Sequence, residues 1–582
     1  MRATYTFKIG GQAGFGIMTI GLVFSKLCTR SGYQIFDYFE YPSLIRGGHN
    51  VTETHFGKDE VFSQERGVNL LVALNRETVD LHTAEMKEGS GVVFDPDDFQ
   101  AEQTLFGGRN VHLFPVPMKQ IIKKLGVLEL MKNNIALGAV AGIFGFPFEN
   151  LAGIIADAFA DKGEKIITDN QAVAKEGYTY AQQQNFRLGE PLGGEIGKKD
   201  CTVMTGNEAI AIGAIAAGCQ FYAAYPMTPS SPILHYLAGK AGETGMVVRH
   251  AEDEIAVINE ALGASFAGVR SMVGTSGGGF ALMNETVSFL GVAEIGLVII
   301  MGQRPGPATG LPTWTEQAEL QYVIRAGHGE FPKIVLAPGD IDEAMQLTLK
   351  AFDMADMYQT PVIILTDKYI AESHRSIPLT TINSLIANYT PNRGKVESPN
   401  PNQSEVLPYP RYRPTEDGIS ARIYPGIKGY FYQANSYEHI EDGHTTEDAT
   451  VRKEQVDKRN QKAKTYLTNH FQLPKLYGNP DAATTVVAWG SIRFPIMEAF
   501  AAYPELNANL LHFTHMWPMD GAKVAAELAK YKNLVLVENN STAQLGQLLR
   551  QETGILIERK LLKYDGRPIY PEEIMEFIKT NT

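Results

Sequence analysis

Apolar and polar positions repeat along this chain in a fixed order. A short apolar or β-branched run comes first, then a turn rich in Gly, Pro or hydroxyl residues, then a stretch with helical spacing. TYTFKI at Thr4–Ile9 leads into Gly10-Gly11-Gln12-Ala13-Gly14-Phe15-Gly16 and then into a helical pattern from Ile17 to about Cys28. LLVAL at Leu70–Leu74 and GVVFD at Gly91–Asp95 continue the alternation, which predicts a doubly wound α/β layer. The polar, Gly- and Pro-containing stretch from Gln182 to Lys199 reads as a linker, so a first domain is expected over residues 1–190. A second α/β domain with a mainly parallel sheet is expected over 201–377, where MVVRH, SMVGTS, LVIIM, KIVLA and PVIIL are separated by helical segments such as Asn207–Ala217 and Glu254–Phe266. Residues 378–475 are richer in Pro, Asn, Tyr and charge. They read as an irregular connecting segment ending in a polar helix whose Lys and Glu residues form a solvated face. TTVVAWG, NLLHFTH and NLVLVEN predict a small α/β unit over 481–582.

Composition narrows the function classes. The 582 residues exceed one hydrophobic core. The net charge of -13 argues against a nucleic-acid binder. The longest apolar candidate, Ile135–Phe148, is interrupted by Gly and falls short of a bilayer span, and the N-terminus lacks the apolar region of a signal peptide, so a cytoplasmic protein with no membrane role is expected. Cys28, Cys201 and Cys219 are far apart; three thiolates cannot hold a [4Fe–4S] cluster in the usual way. His512 and His515 sit in a strand-like run and read as core residues, not metal ligands.

Four segments carry candidate chemistry. Tyr225-Pro226-Met227-Thr228-Pro229-Ser230-Ser231-Pro232 follows an apolar strand; its prolines stiffen the loop and its hydroxyls suit a helix start. Glu252-Asp253-Glu254 opens a helix, and Glu254, if turned inward, would be a carboxyl group able to share a proton with a heterocycle nitrogen. Gly274-Thr275-Ser276-Gly277-Gly278-Gly279 lets the backbone approach something closely but is neither a Walker A loop nor GxGxxG. Gln303 to Thr313 follows the strand LVIIM and offers Arg304 for a carboxylate, with Thr309 and Thr313 as further donors. Each segment alone also fits an ordinary turn or cap. Their order and common placement at strand ends favour one shared site.

Together, YPMTPSS, EDE, TSGGG and GPATGLPT resemble the α subunit of 2-oxoacid:ferredoxin oxidoreductases, in the 2-oxoglutarate type with a fused N-terminal γ domain. GGQAGFG, Glu40-Tyr41-Pro42-Ser43, Arg46-Gly47-Gly48, Thr415-Glu416-Asp417-Gly418, Asn435 to His439, Val537 to Asn540 and Gly546-Gln547-Leu548 extend the resemblance over nearly the whole chain. Ala308 stands where the family commonly has Ser. The resemblance implies a γ domain, a pyrimidine-binding thiamine-diphosphate domain and a transketolase C-terminal-like domain. It implies that Glu254 is catalytic at the cofactor's aminopyrimidine, that Tyr225, Pro226 and Ser276 line the cofactor, and that Thr228, Arg304 and Thr309 bind the substrate carboxylate. No GDG…NN signature occurs, so the resemblance also implies a β subunit carrying the diphosphate, Mg²⁺ and a [4Fe–4S] cluster, in an (αβ)₂ assembly that uses coenzyme A and ferredoxin. The implied reaction is conversion of 2-oxoglutarate to succinyl-CoA and CO₂, or its reverse. Pyruvate or branched-chain 2-oxoacids are alternative substrates, and a non-catalytic structural or regulatory subunit is the alternative of another class.

Overall fold

The computed structural model describes residues 3–43, 47–400 and 403–581. Arg46 of the N-terminal signature lies outside them. Among the described residues, the long strands form three sheets. The first has eight strands, in the order His112–Pro115, Met86–Phe94, Val68–Ala73, Thr4–Gln12, His49–Gly57, Gln34–Glu40, His374–Pro378, Cys201–Thr205. Its first four strands are mutually parallel. The last two strands come from the second region of the chain and extend the sheet antiparallel, fastening that region to the N-terminal layer.

The second sheet has seven strands, in the order His515–Trp517, Ile334–Leu336, Pro361–Asp367, Leu297–Gln303, Arg270–Ser276, Cys219–Ala224, Val247–His250. All but His515–Trp517 run parallel. Leu297–Gln303 and Pro361–Asp367 are buried at every position, as expected of strands covered by helices on both faces. The third sheet, of five strands between Lys475 and Leu562, is parallel apart from Lys475–Gly478. The molecule is thus α/β with several parallel-dominated sheets.

Local chemistry accounts for the helix starts. Thr205 and Glu208 form a reciprocal capping box at the helix Gly206–Ala216. Asp253 caps the helix Glu254–Phe266 by accepting from Ala256 N–H, and Asp340 caps Ile341–Tyr358 through Glu343 N–H. The apolar run near Ile135 is a helix, Lys132–Phe144, buried around nearly its whole circumference. Its Gly138 lies against the carbonyl of Ala174 on the helix Glu164–Gln183, where no β-carbon fits. No helix of the described residues is long and apolar enough to cross a membrane.

The polar helix at the end of the connecting segment, Ala449–Asn469, corrects the expectation of a solvated face. Gln455, Lys458, Arg459, Lys462 and Tyr466 are buried. Lys458 Nζ lies 2.5 Å and Lys462 Nζ 2.6 Å from the two carboxylate oxygens of Glu294, which is itself fully buried. Arg459 forks onto Glu438 of the segment Asn435–His439. The polar composition misleads because Lys458 and Lys462 reach Glu294, buried beneath the helix, and Arg459 reaches the half-buried Glu438. His512 and His515 are core residues: His512 Nε2 is 3.0 Å from the Gly490 carbonyl and His515 Nδ1 is 2.7 Å from the Tyr466 hydroxyl.

Candidate active site

Four adjacent parallel strands of the seven-stranded sheet, Leu297–Gln303, Arg270–Ser276, Cys219–Ala224 and Val247–His250, end on the same side of the molecule. Their carboxyl ends run directly into the four candidate segments. Strands of an open parallel sheet present their following loops together in this way, which is where such sheets hold ligands.

Two of these juxtapositions are tight. Glu254 is the first residue of its helix and is 6% exposed. Its Oε1 would lie 2.6 Å from a β-carbon placed on Gly279, so the third glycine of TSGGG exists as glycine to admit this carboxyl group and the Thr275 hydroxyl. Arg304 is also buried, and its Nη1 donates to the Thr228 carbonyl at 2.8 Å, tying the fourth loop to the first. Burial lowers the Arg304 pKa against the opposing effect of Glu319. The Ser276 hydroxyl is sealed from solvent without a partner, as are those of Thr313 and Thr315.

The remaining site residues lie on the open side. Tyr225 is exposed and makes an edge contact with the His250 ring, centroids 6.2 Å apart. Pro226 and Thr309 are exposed, and Thr228 is half-buried. Ala308 adopts φ +54°, in the left-handed region, just ahead of Thr309. No hydrogen bond joins Thr309 to Arg304 among the described residues, so the two are near in sequence but not paired. Ile255, Leu282 and Leu311 on the same segments are exposed apolar residues.

Some supporting residues are not apparent in the sequence pattern. Gln317 N–H donates to the Asn539 carbonyl at 2.7 Å, and its Nε2 donates to the Trp489 carbonyl at 3.0 Å. Asn540 Nδ2 donates back to the Gln317 carbonyl. The C-terminal unit therefore braces the loop that follows the strand Leu297–Gln303. Glu538 holds that brace together: its carboxylate accepts from Trp489 Nε1, Asn540 Nδ2, Leu545 N–H and Gly546 N–H, while burial pushes its pKa up against these bonds. Asp367 ends the neighbouring strand Pro361–Asp367 and accepts from Tyr369 and Ile370 N–H and from the Ser491 hydroxyl. Glu319, two residues past Gln317, packs its carboxyl group against Gly277. An acid at the start of a helix gives no sign in the sequence that it turns inward.

Comparison with known proteins decides the family. The α subunit of 2-oxoacid:ferredoxin oxidoreductase 2 of Aeropyrum pernix is 32% identical over 98% of this chain and 96% of its own length. This chain belongs to the 2-oxoacid:ferredoxin oxidoreductase α-subunit family. Other members of that oxidoreductase family include the 2-oxoglutarate oxidoreductase subunit KorA of Mycobacterium tuberculosis, 27% identical over 98% of this chain and 90% of its own. A family model described as pyruvate flavodoxin/ferredoxin oxidoreductase, thiamine diphosphate binding, matches residues 212–458, and one described as pyruvate ferredoxin/flavodoxin oxidoreductase matches residues 6–180. The solved 2-oxoglutarate:ferredoxin oxidoreductase of Magnetococcus marinus, with 2-oxoglutarate, coenzyme A and succinyl-CoA bound, superimposes with a TM-score of 0.91 at 29% identity over the full length of both chains. All four site segments fall within the stretch matched by the thiamine-diphosphate model. The chain is accordingly a subunit of a thiamine-diphosphate-dependent oxidoreductase of 2-oxoacids.

Proposed function

We propose that this chain is the α subunit of a 2-oxoglutarate:ferredoxin oxidoreductase and supplies the pyrimidine half of its cofactor site together with a clamp for the substrate carboxylate. The observation that carries this reading is the pair of contacts at adjacent strand ends, Glu254 against Gly279 and Arg304 on Thr228. Thiamine diphosphate, when bound, supplies the activated carbon that attacks the 2-oxo group and takes up the electron pair left by decarboxylation. In the proposal, Glu254 holds the proton at the aminopyrimidine nitrogen, and Ser276, Tyr225 and Pro226 line that ring. The buried, unpartnered Ser276 hydroxyl and the glycine cradle suit a flat polar ring. Arg304, Thr228 and Thr309 take the substrate carboxylate, for which the guanidinium fork is shaped.

The likeness to the Magnetococcus protein and to relatives named for 2-oxoglutarate supports that substrate, with coenzyme A as acceptor and succinyl-CoA and CO₂ as products, or the reverse reaction. The diphosphate, Mg²⁺ and a [4Fe–4S] cluster belong to a β subunit in an (αβ)₂ assembly that passes electrons to ferredoxin. Exposed apolar side chains at Tyr225, Ile255, Leu282 and Leu311 support coverage by a second chain. Residues 1–190 act as the γ domain, 201–377 as the pyrimidine domain, 378–475 as the connecting segment and 481–582 as the transketolase C-terminal-like domain. Three unpaired cysteines fit a cytoplasmic location.

The test uses the co-expressed α–β complex with a viologen acceptor. Glu254→Ala is expected to abolish turnover with every 2-oxoacid; retention of full activity would overturn the catalytic reading in favour of a structural or regulatory subunit. Assays with 2-oxoglutarate, pyruvate and a branched-chain 2-oxoacid are expected to rank 2-oxoglutarate first, and pyruvate ranking first would overturn the substrate assignment.

A further inference from the structure

Glu319 is a carboxyl group of the site region that the proposed chemistry does not use. It begins the helix Leu320–Arg325 as its N-cap, and its N–H donates to Gln303 Oε1 at 3.1 Å. That bond fastens it to the residue preceding Arg304. Its side chain turns inward to the TSGGG turn, and a β-carbon on Gly277 would overlap its Oε1. Glu254 stands in the same relation to Gly279. Two carboxyl groups therefore seat on one turn, each in the space left by a missing β-carbon.

The surroundings of Glu319 do not suit a charge. Oε2 is sealed from solvent and has no hydrogen-bond partner. No Lys or Arg among the described residues forms an ion pair with it; Arg304 faces it beyond ion-pair distance and spends one N–H on the Thr228 carbonyl. Glu319 is half-buried as a whole, but a carboxylate oxygen sealed from water with neither a cation nor a donor disfavours the charged form, and a carboxyl group so placed holds its proton more readily. We propose that Glu319 is a positioning residue of the substrate clamp: it carries a proton in the resting enzyme, which leaves the Arg304 guanidinium open for a substrate carboxylate, and on ionising it competes for that guanidinium. This rests on the reading of Arg304 as the clamp.

The charged and titratable groups around Glu319 are few. Arg304 lies on the substrate loop, Glu316 on the same loop, and Tyr322 on the helix that Glu319 begins. The Gly277 turn itself brings none, Glu254 seats on the same turn two residues on, at Gly279, and the helix Gln544–Thr553 approaches through the neutral Gln544, which donates to the Ala318 carbonyl. Burial raises the Glu319 pKa to about 8, Arg304 opposing and Glu316 reinforcing the shift. The proton is therefore held at neutral pH and released just above it.

The experiment compares wild type, Glu319→Gln and Glu319→Asp in the α–β complex. If only the protonated form leaves Arg304 open, KM for the 2-oxoacid in wild type rises about tenfold from one pH unit below the Glu319 pKa to one unit above it. Glu319→Gln, which cannot ionise, is expected to flatten that rise, and Glu319→Asp to restore a pH-dependent KM. The infrared difference spectrum of wild type minus Glu319→Gln is expected to show a protonated-carboxyl C=O band at neutral pH that disappears above pH 8. Absence of the band, or the same KM profile in wild type and Glu319→Gln, overturns the proposal. Arg304→Gln separates the two readings. If it leaves KM unchanged, the clamp reading fails, while the infrared band still reports on the proton.

Discussion

At the scale of single residues, the site depends on what is missing as much as on what is present. Gly277 and Gly279 have ordinary negative or extended φ, so their backbone would tolerate a side chain; the space around them would not. At Gly279 the added carbon would meet the Thr275 hydroxyl and Glu254, the candidate catalytic carboxyl group. Gly279→Ala is therefore expected to displace the Glu254 carboxyl group and lower kcat/KM by roughly a hundredfold or more, since misplacing a reacting group by about 1 Å has that cost. Thermal unfolding of the variant α–β complex should shift far less than its activity falls. Equal loss of both would show that the alanine disrupts folding and not the geometry of Glu254.

At the scale of elements, the connecting segment shows how a polar pattern conceals a buried contact. Glu294 begins the strand-side turn before Leu297, and the helix Ala449–Asn469 brings Lys458 and Lys462 down onto it. Burial would raise the Glu294 pKa, but the two lysines together with Arg411 outweigh it and hold it well below the ordinary carboxylate range. On the Glu294 side the stabilisation is present at neutral pH and is lost as pH falls below that range, while burial, against the pull of Glu294, lowers the Lys462 pKa to about 7, so the contact also weakens as pH rises above neutral. Glu294→Gln leaves two buried lysines without their carboxylate, and breaking a buried pair in this way costs about 3–5 kcal/mol. A clear fall in melting temperature at neutral pH, with the helix opened to limited proteolysis, is expected; an unchanged melting temperature would show that Glu294 does not hold the helix down. Here the sequence is least legible. Helical spacing locates Ala449–Asn469, but nothing in the spacing marks Lys458 and Lys462 as inward, because their partner stands 164 and 168 positions away, at Glu294. Glu319 is hidden for the same reason. By contrast, the helix Glu254–Phe266 and the strand-end position of Arg304 are readable, since capping acids, apolar period and strand-to-turn order are all local signals. The sharing of sheets is not local: Cys201–Thr205 and His374–Pro378 look like strands of their own region, yet they pair with the N-terminal sheet.

At the scale of the whole molecule, the loop from Gln303 to Gln317 that carries Arg304 is held from outside the domain it belongs to. Gln303 anchors one end to the Thr366 carbonyl within the seven-stranded sheet. Gln317 anchors the other to Trp489 and Asn539 of the C-terminal unit, and Thr315 N–H donates to the Gly566 carbonyl of that unit. Arg567 stacks its guanidinium over Trp314 at 3.2 Å from the ring centroid, so a second C-terminal loop also packs on the same stretch. A loop pinned at both ends can present Arg304 in one geometry, and the C-terminal unit thereby affects a site to which it contributes no candidate side chain. Gln317→Ala removes the Nε2 donor from the buried Trp489 carbonyl, and a buried acceptor left unpaired costs about 1–3 kcal/mol. Because that contact joins the loop to the C-terminal unit, the loss should appear in substrate binding: KM for the 2-oxoacid is expected to rise several-fold in the α–β complex, with a smaller change in kcat. A fall in melting temperature with KM unchanged would mean that Gln317 only glues two units together and does not position Arg304.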